Sequence, residues 1–241
     1  MTYFFSDVHL GYYIRSADRR REDMLIQFLE HISQDAEKIY IVGDLFDYWF
    51  EYNTVIPKYF YRSVAAMERI VRSGTKIEYL MGNHDFGHQR FFAEEIGITI
   101  ERGDIECEIG NKRFFIAHGD GKVKNDGGYL ILRAILRNKL SIKLFQWLHP
   151  DVGIWLASRS SRASRRYTDA KEFGTEDGLS EFAAKKITEG FDYVIMGHRH
   201  HAGKYRLGNG WYLNLGHWLG NAPPTYARFD GSDVELLDYT R

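Results

Sequence analysis

The chain has 241 residues, of which 44% are hydrophobic and 27% charged, with a net charge of −1. That length suits one domain and at most two, and the balance of apolar and charged residues excludes a disordered or fibrous chain. A single cysteine, Cys107, excludes an internal disulfide framework, and a pI near 6.8 gives no general attraction for nucleic acid.

In chain order, Tyr3 to Phe5 reads as a first buried strand. Met24, Leu25, Phe28, Leu29 and Ile32 recur at helical spacing and predict a helix over Asp18 to Ile32. Ile39 to Val42 is a second strand, Tyr59 to Val71 a second helix, and Ile77 to Met81 a third strand. Ile98 to Arg102, Glu106 to Glu108 and Arg113 to His118 read as short strands, the last two joined at Gly110-Asn111. After Tyr193 to Met196 the chain turns to hairpins, Lys204 to Arg206 with Trp211 to Asn214 and Thr225 to Arg228 with Val234 to Tyr239. The pattern predicts an α/β (α+β) fold with two sheets packed face to face and helices outside.

The stretch from 126 to 173 interrupts this pattern and is expected to be a helical hairpin inserted into a core formed by 1–125 and 174–241. Helices are expected over about Gly128 to Leu148 and Gly153 to Tyr167, separated at Pro150. Nine Lys or Arg stand against four acids in this insert, a balance of +5 that leaves −6 for the remainder. Its many apolar residues, from Leu130 to Leu156, exceed what one buried helix face needs. Beside a phosphate site, such a segment suits a lid for an amphiphilic substrate: cations attract phosphates and the apolar groove holds an acyl chain.

Seven metal-ligand-type side chains sit in five motifs, each where a predicted strand gives way to a loop, the usual position for ligands of an open α/β sheet. They are Asp7 and His9 in Asp7-Val8-His9, Asp44 in Gly43-Asp44, Asn83 in Gly82-Asn83-His84-Asp85, His118 in His118-Gly119-Asp120, and His198 and His200 in Gly197-His198-Arg199-His200. Four imidazoles, two carboxylates and an amide, without thiolate, suit two divalent ions, Mn first, with Fe or Zn as alternatives. Two ions about 3.5 to 4 Å apart polarise a phosphoryl group and lower the pKa of a shared water. Any single motif is an ordinary polar loop; five in order point to phosphoester or phosphoanhydride hydrolysis. His88 and His217 belong to no motif and are expected to be surface or packing histidines.

In this order the motifs resemble those of the calcineurin-like metallophosphoesterases, over Asp7 to His200. The resemblance implies a four-layer αββα sandwich of two mixed sheets, capped here by the helical hairpin. It implies that Asp7, His9, Asp44 and His200 hold one ion and Asp44, Asn83, His118 and His198 the other. It places His84 as the catalytic group facing the leaving oxygen, with Asp85 orienting its ring. Within that superfamily, His118-Gly119-Asp120 followed by Asp126-x-Gly128-Tyr129, and the basic end of the insert, resemble the UDP-2,3-diacylglucosamine diphosphatases of the lipid A pathway. That resemblance implies cleavage of the substrate pyrophosphate to UMP and 2,3-diacylglucosamine 1-phosphate by a metal-bound hydroxide.

It further implies substrate contacts from Asn83, His84, Asp126, Ser164 and Lys171, to which Arg159 is added from the basic insert. A cytoplasmic protein of a lipid A-making bacterium is expected, touching the inner membrane at most peripherally. No apolar run approaches the roughly 18 residues of a membrane span, and a first motif at the seventh residue leaves no room for a signal peptide. The chain departs from the better-known members at His84, where they carry arginine, at Trp49-Phe50-Glu51-Tyr52-Asn53, where they carry Trp-x-Gly-Asp-Asp, and at Thr168, where asparagine is usual. These departures keep open a phosphodiesterase acting on another nucleotide or lipid-linked phosphoester. A non-catalytic interaction module is the reading that loss of metal binding would support.

Overall fold

In the computed structural model, which describes residues 1–122, 127–169 and 178–240, with the side chains of 127, 129 and 162–169 left out, eleven strands form two mixed sheets. The first sheet takes β1 (Thr2–Phe5), β2 (Lys38–Val42), β3 (Lys76–Leu80) and β4 (Thr99–Glu101) in parallel. The hairpin of β10 (Thr225–Phe229) and β11 (Val234–Asp238) closes that sheet, with β10 antiparallel to β1. The second sheet contains β5 (Ile105–Ile109), β6 (Lys112–Ala117), β7 (Tyr193–Met196), β8 (Gly203–Leu207) and β9 (Gly210–Asn214), ordered β5-β6-β7-β9-β8. Its central strands β6, β7 and β9 are parallel.

Both faces of each central strand are covered, which is why the strands read as unbroken apolar runs. Phe4, Tyr40 and Leu80 point between the sheets and meet Phe114, Ile116 and Ile195. Their neighbours Phe5, Ile41 and Tyr79 point outward onto Leu25, Phe28 and Leu29 of α1 (Arg15–Ile32) and Val64, Met67 and Ile70 of α2 (Tyr61–Arg72). On the far side, Phe115, Val194 and Tyr212 pack on Leu179, Ala183 and Ile187 of a further helix, Gly178–Thr188. The layers are helix, sheet, sheet, helix, as expected. Phe4 is fully buried and stacks on Tyr40 at 5.2 Å and on Phe114 of the opposite sheet at 5.9 Å. Phe4→Ala would cost about 3–5 kcal/mol through the cavity between the sheets.

The segment expected as a two-helix hairpin is three helices: α3 (Gly127–Leu136), α4 (Lys139–Gln146) and α5 (Pro150–Asp169). The break at 137–138 has a local cause. The Asn138 side chain accepts the Leu140 N–H at 2.8 Å and caps a new helix, so the first predicted helix divides. Pro150 opens α5 rather than lying ahead of it, since a first-turn proline lacks only an N–H that would be unpaired anyway. The helix Gly178–Thr188, here α6, was not anticipated.

Candidate metal centre

The motif residues all follow the C-terminal ends of strands: Asp7 and His9 after β1, Asp44 after β2, Asn83 and His84 after β3, His118 after β6, His198 and His200 after β7. Two sheets face each other there, and the loops converge. His200 Nε2 lies 3.2 Å from Asp7 Oδ1 and 3.2 Å from His9 Nε2. His118 Nε2 lies 3.3 Å from Asp44 Oδ2 and 2.9 Å from Asn83 Oδ1. The His198 ring packs against that of His118 at 5.1 Å between centroids. Donors about 2.0–2.2 Å from one ion stand roughly 3.0–3.5 Å from each other; the His200–Asp7, His200–His9 and His118–Asp44 separations fall in that range, and His118–Asn83 is shorter.

The backbone is bent to achieve this. Asp7, His9, Asp44, His198 and His200 all have positive φ, between 50° and 71°, and no other described non-glycine residue does. Left-handed backbone is unfavourable for residues with a Cβ, so its concentration at five donors marks a functional site. Glycines make the room: a Cβ at Gly82 would stand 2.0 Å from Asp44 Oδ1, and one at Gly197 would stand 2.3 Å from Asp7 Oδ2.

Each carboxylate keeps one oxygen tied and presents the other. Asp7 Oδ2 accepts from Ser6 Oγ and from the His198 N–H at 2.9 Å, while Oδ1 is buried without a hydrogen bond. Asp44 Oδ1 accepts the His84 N–H at 2.9 Å, and its Oδ2 faces His118 and His9. His118 Nδ1 donates to the Val42 carbonyl at 2.9 Å, which leaves Nε2 as the lone-pair donor toward the site.

Charges follow this arrangement. Burial disfavours ionised Asp7 and Asp44, but the surrounding imidazoles outweigh it and hold both well below the usual carboxylate range. Burial likewise opposes charge on His9, yet Asp47, Asp7 and Asp44 raise it to about 9. His118 is also raised, by Asp44, whereas burial and the charge of His118 push His198 down to about 4. Two anions buried among imidazoles form a pocket for positive charge, which protons fill in the metal-free chain.

Residues 2–202 match the calcineurin-like phosphoesterase family. The chain belongs to that family. It is 31% identical to a UDP-2,3-diacylglucosamine hydrolase of Porphyromonas gingivalis, over 97% of this chain and 95% of that one. It is 28% identical to the protein of that name from Haemophilus ducreyi, over 90% and 92%, and 29% identical to one from Pseudomonas putida, over 86% and 85%. This phosphoesterase is a metal-dependent phosphohydrolase. Its mixed nitrogen and oxygen donors, and the bare ionised oxygen of Asp7, fit divalent cations.

One expected role changes. Asp85 does not orient the His84 ring: its buried carboxylate accepts from the backbone of Gly82, Leu45 and Phe46 and from the Tyr79 hydroxyl. It thereby braces the loops after β2 and β3 against each other. Ser161 Oγ stands 2.8 Å and Asp47 Oδ1 3.9 Å from His84 Nδ1. Asp47 also lies 3.6 Å from His9 Nδ1, on the side of that ring away from the site.

Other residues of the phosphoesterase carry parts of the site that its motifs do not mark. Arg21, on α1, is buried and donates to the carbonyls of Val8, His9 and Trp218, fixing the Asp7-to-His9 turn. Arg137 donates to the Gly82 carbonyl at 2.9 Å, beside Asn83. The signal for Arg21 was a charge on the apolar face of α1, seven residues before Phe28. His217 stacks on His200 at 5.0 Å, and His88 is a packing group between Trp49, Tyr79 and Phe92. Arg159 is exposed and lies over the Trp155 ring, 5.5 Å from its centroid. Asp126 and Lys171, and the side chain of Ser164, lie outside the described residues.

Proposed function

We propose that this phosphoesterase hydrolyses the pyrophosphate of UDP-2,3-diacylglucosamine to UMP and 2,3-diacylglucosamine 1-phosphate in lipid A synthesis. The observation that carries the reading is similarity to proteins named for that substrate along nearly the whole chain, including the segment of α3–α5. That segment suits an acylated substrate. Ile131, Ile135, Leu140, Leu144, Trp147 and Trp155 are each more than half exposed, and apolar side chains left in water along one segment suit contact with an apolar ligand. Ser161 and Arg137 tie the same helices to His84 and to the Gly82 loop, so this surface borders the donors.

In this reading Asp7, His9, Asp44 and His200 hold one divalent ion, and Asp44, Asn83, His118 and His198 the second, with manganese as the ion supplied. Bound there, two such ions neutralise phosphoryl charge and acidify a shared water. The chain's own residues do the rest: Asn83 and His84 meet the phosphate, and His84 faces the leaving oxygen, where an imidazolium stabilises developing charge. Arg159, Asp126, Ser164 and Lys171 serve as further substrate contacts. No helix of the described residues is long and apolar enough to cross a membrane. In this reading any membrane contact is made by the exposed apolar residues of α3–α5, on the cytoplasmic side.

His84 in place of arginine also supports a second reading, a phosphodiesterase whose poorer leaving group needs a proton. The deciding assay adds Mn²⁺ to metal-free protein and follows UMP release from UDP-2,3-diacylglucosamine, a deacylated UDP-sugar and an aryl phosphodiester. Turnover confined to the acylated nucleotide supports the lipid reading. Turnover of the aryl diester alone keeps the hydrolase and removes the lipid substrate.

A further inference from the structure

The place of Ser161 on α5 is not that of a solvent-facing serine. Ile154 and Ala157 of the same helix pack against the core around α1 and α2, and Gly153 lies so close to Tyr52 that a Cβ would stand 1.8 Å from its hydroxyl. Ser161 follows Ile154 and Ala157 at i+7 and i+4, continues their face, and is only 7% exposed. The buried face of α5 thus ends on a hydroxyl, and that hydroxyl meets His84 Nδ1 at 2.8 Å. Asp47 Oδ1, at 3.9 Å from the same nitrogen, is beyond hydrogen-bonding length. A ring nitrogen of His84 lies within 4.8 Å of the donor atoms of His9 and Asp44.

We propose that Ser161 is a positioning residue for His84, holding the imidazole for proton transfer only when α5 is seated on the core. The inference rests on the reading that His84 faces the leaving oxygen. With Nδ1–H donated to Ser161 Oγ, Nε2 is the ring nitrogen that this reading turns to the substrate. As the bond from phosphorus to the leaving oxygen breaks, its electron pair stays on that oxygen and the Nε2 proton joins it. The ring keeps Nδ1–H and its hydroxyl partner, and regains the Nε2 proton from solvent. Seating the helices that carry the apolar surface and delivering the proton become one event. An occupant that fails to seat α5 takes the Ser161 hydroxyl away from His84 Nδ1.

The test uses the full-length, Mn²⁺-loaded protein with Ser161→Ala and Ser161→Thr, each alone and combined with His84→Ala, on aryl phosphodiesters ranging from nitrophenyl to phenyl leaving groups. Ser161→Ala is expected to lower kcat about tenfold for the phenyl ester and at most about twofold for the nitrophenyl ester, with KM unchanged. Ser161→Thr, which keeps the hydroxyl, restores the rate, and neither change matters once His84 is alanine. Equal loss across leaving groups, a change in KM alone, or a loss that persists without His84 overturns the proposal. A second readout needs no turnover: in the metal-free protein labelled with ¹⁵N-histidine, Ser161→Ala must shift the His84 ring signals, and unchanged signals also overturn it. Wild-type protein inert on UDP-2,3-diacylglucosamine as well as on every ester would sink the functional reading instead, leaving the ring signals to decide this one.

Discussion

Asp44 serves two purposes with two oxygens: Oδ1 fixes the backbone at His84, and Oδ2 stands between His9 and His118. Removing it should empty both metal positions at once. Asp44→Ala is expected to take Mn²⁺ stoichiometry by calorimetry from two to none, and a residual single ion would show that the positions do not share this residue. Binding should also depend on pH with a definite sign. His9 holds a proton in the metal-free chain up to about pH 9, and an ion must displace it. Affinity therefore rises with pH to about 9 and binding releases protons; the same titration in buffers of different ionisation enthalpy measures them. The convergence of the seven motif residues was legible because each belongs to a short motif at a strand end. Arg21, Asp47 and Ser161 were not, because what they serve is distant in sequence: Ser161 stands 77 residues from His84, and Arg21 reaches a carbonyl 197 residues away. The role first given to Asp85 failed for a related reason: sequence adjacency to His84 says nothing about which way a buried carboxylate points.

Among the elements, the attachment of α3 turns on Asp120. Its buried carboxylate accepts from Arg133 at 2.9 Å and lies 3.6 Å from Arg137. Burial alone would raise its pKa, but the charges of His118, Arg137 and His198 and the Arg133 hydrogen bond hold it at about 2. A depressed folded-state pKa contributes stability above the unfolded value near 3.9, and that contribution is lost as pH falls toward 2. Asp120→Asn should cost about 1–2 kcal/mol at neutral pH, discounted because Arg133 is nearly a third exposed. In urea melts the difference from wild type should vanish between about pH 4 and pH 2; a gap independent of pH would mean that charge does not hold α3. The sandwich strands could be read from sequence because both faces are buried, so apolar residues run without interruption. Helix α6 could not, since the stripe it buries is only Leu179, Ala183 and Ile187 at four-residue steps, too short to separate from a loop. The division of α3 from α4 escaped for a different reason, as one side-chain cap at Asn138 decided it.

Over the whole molecule the core does not depend on the ions. Three large apolar clusters join the four layers, and none is built on the donors. Chelation should therefore abolish hydrolysis while leaving far-ultraviolet circular dichroism intact. Each ion held at about a hundred times its Kd stabilises the folded state by about 2.7 kcal/mol, which for a chain of this size raises Tm by roughly 5–10 °C per ion. An unfolded metal-free protein would contradict this account. The donors come from both sheets, with β1, β2 and β3 supplying four and β6 and β7 three. Ions bound there would stitch the seam between the sheets at the edge where the chain itself crosses it, at residues 102–104 and 215–224. A cell starved of the ion would then lose more than turnover. The unstitched protein would open more often, meet proteases more often and fall in abundance, so that the amount of enzyme would itself follow metal supply.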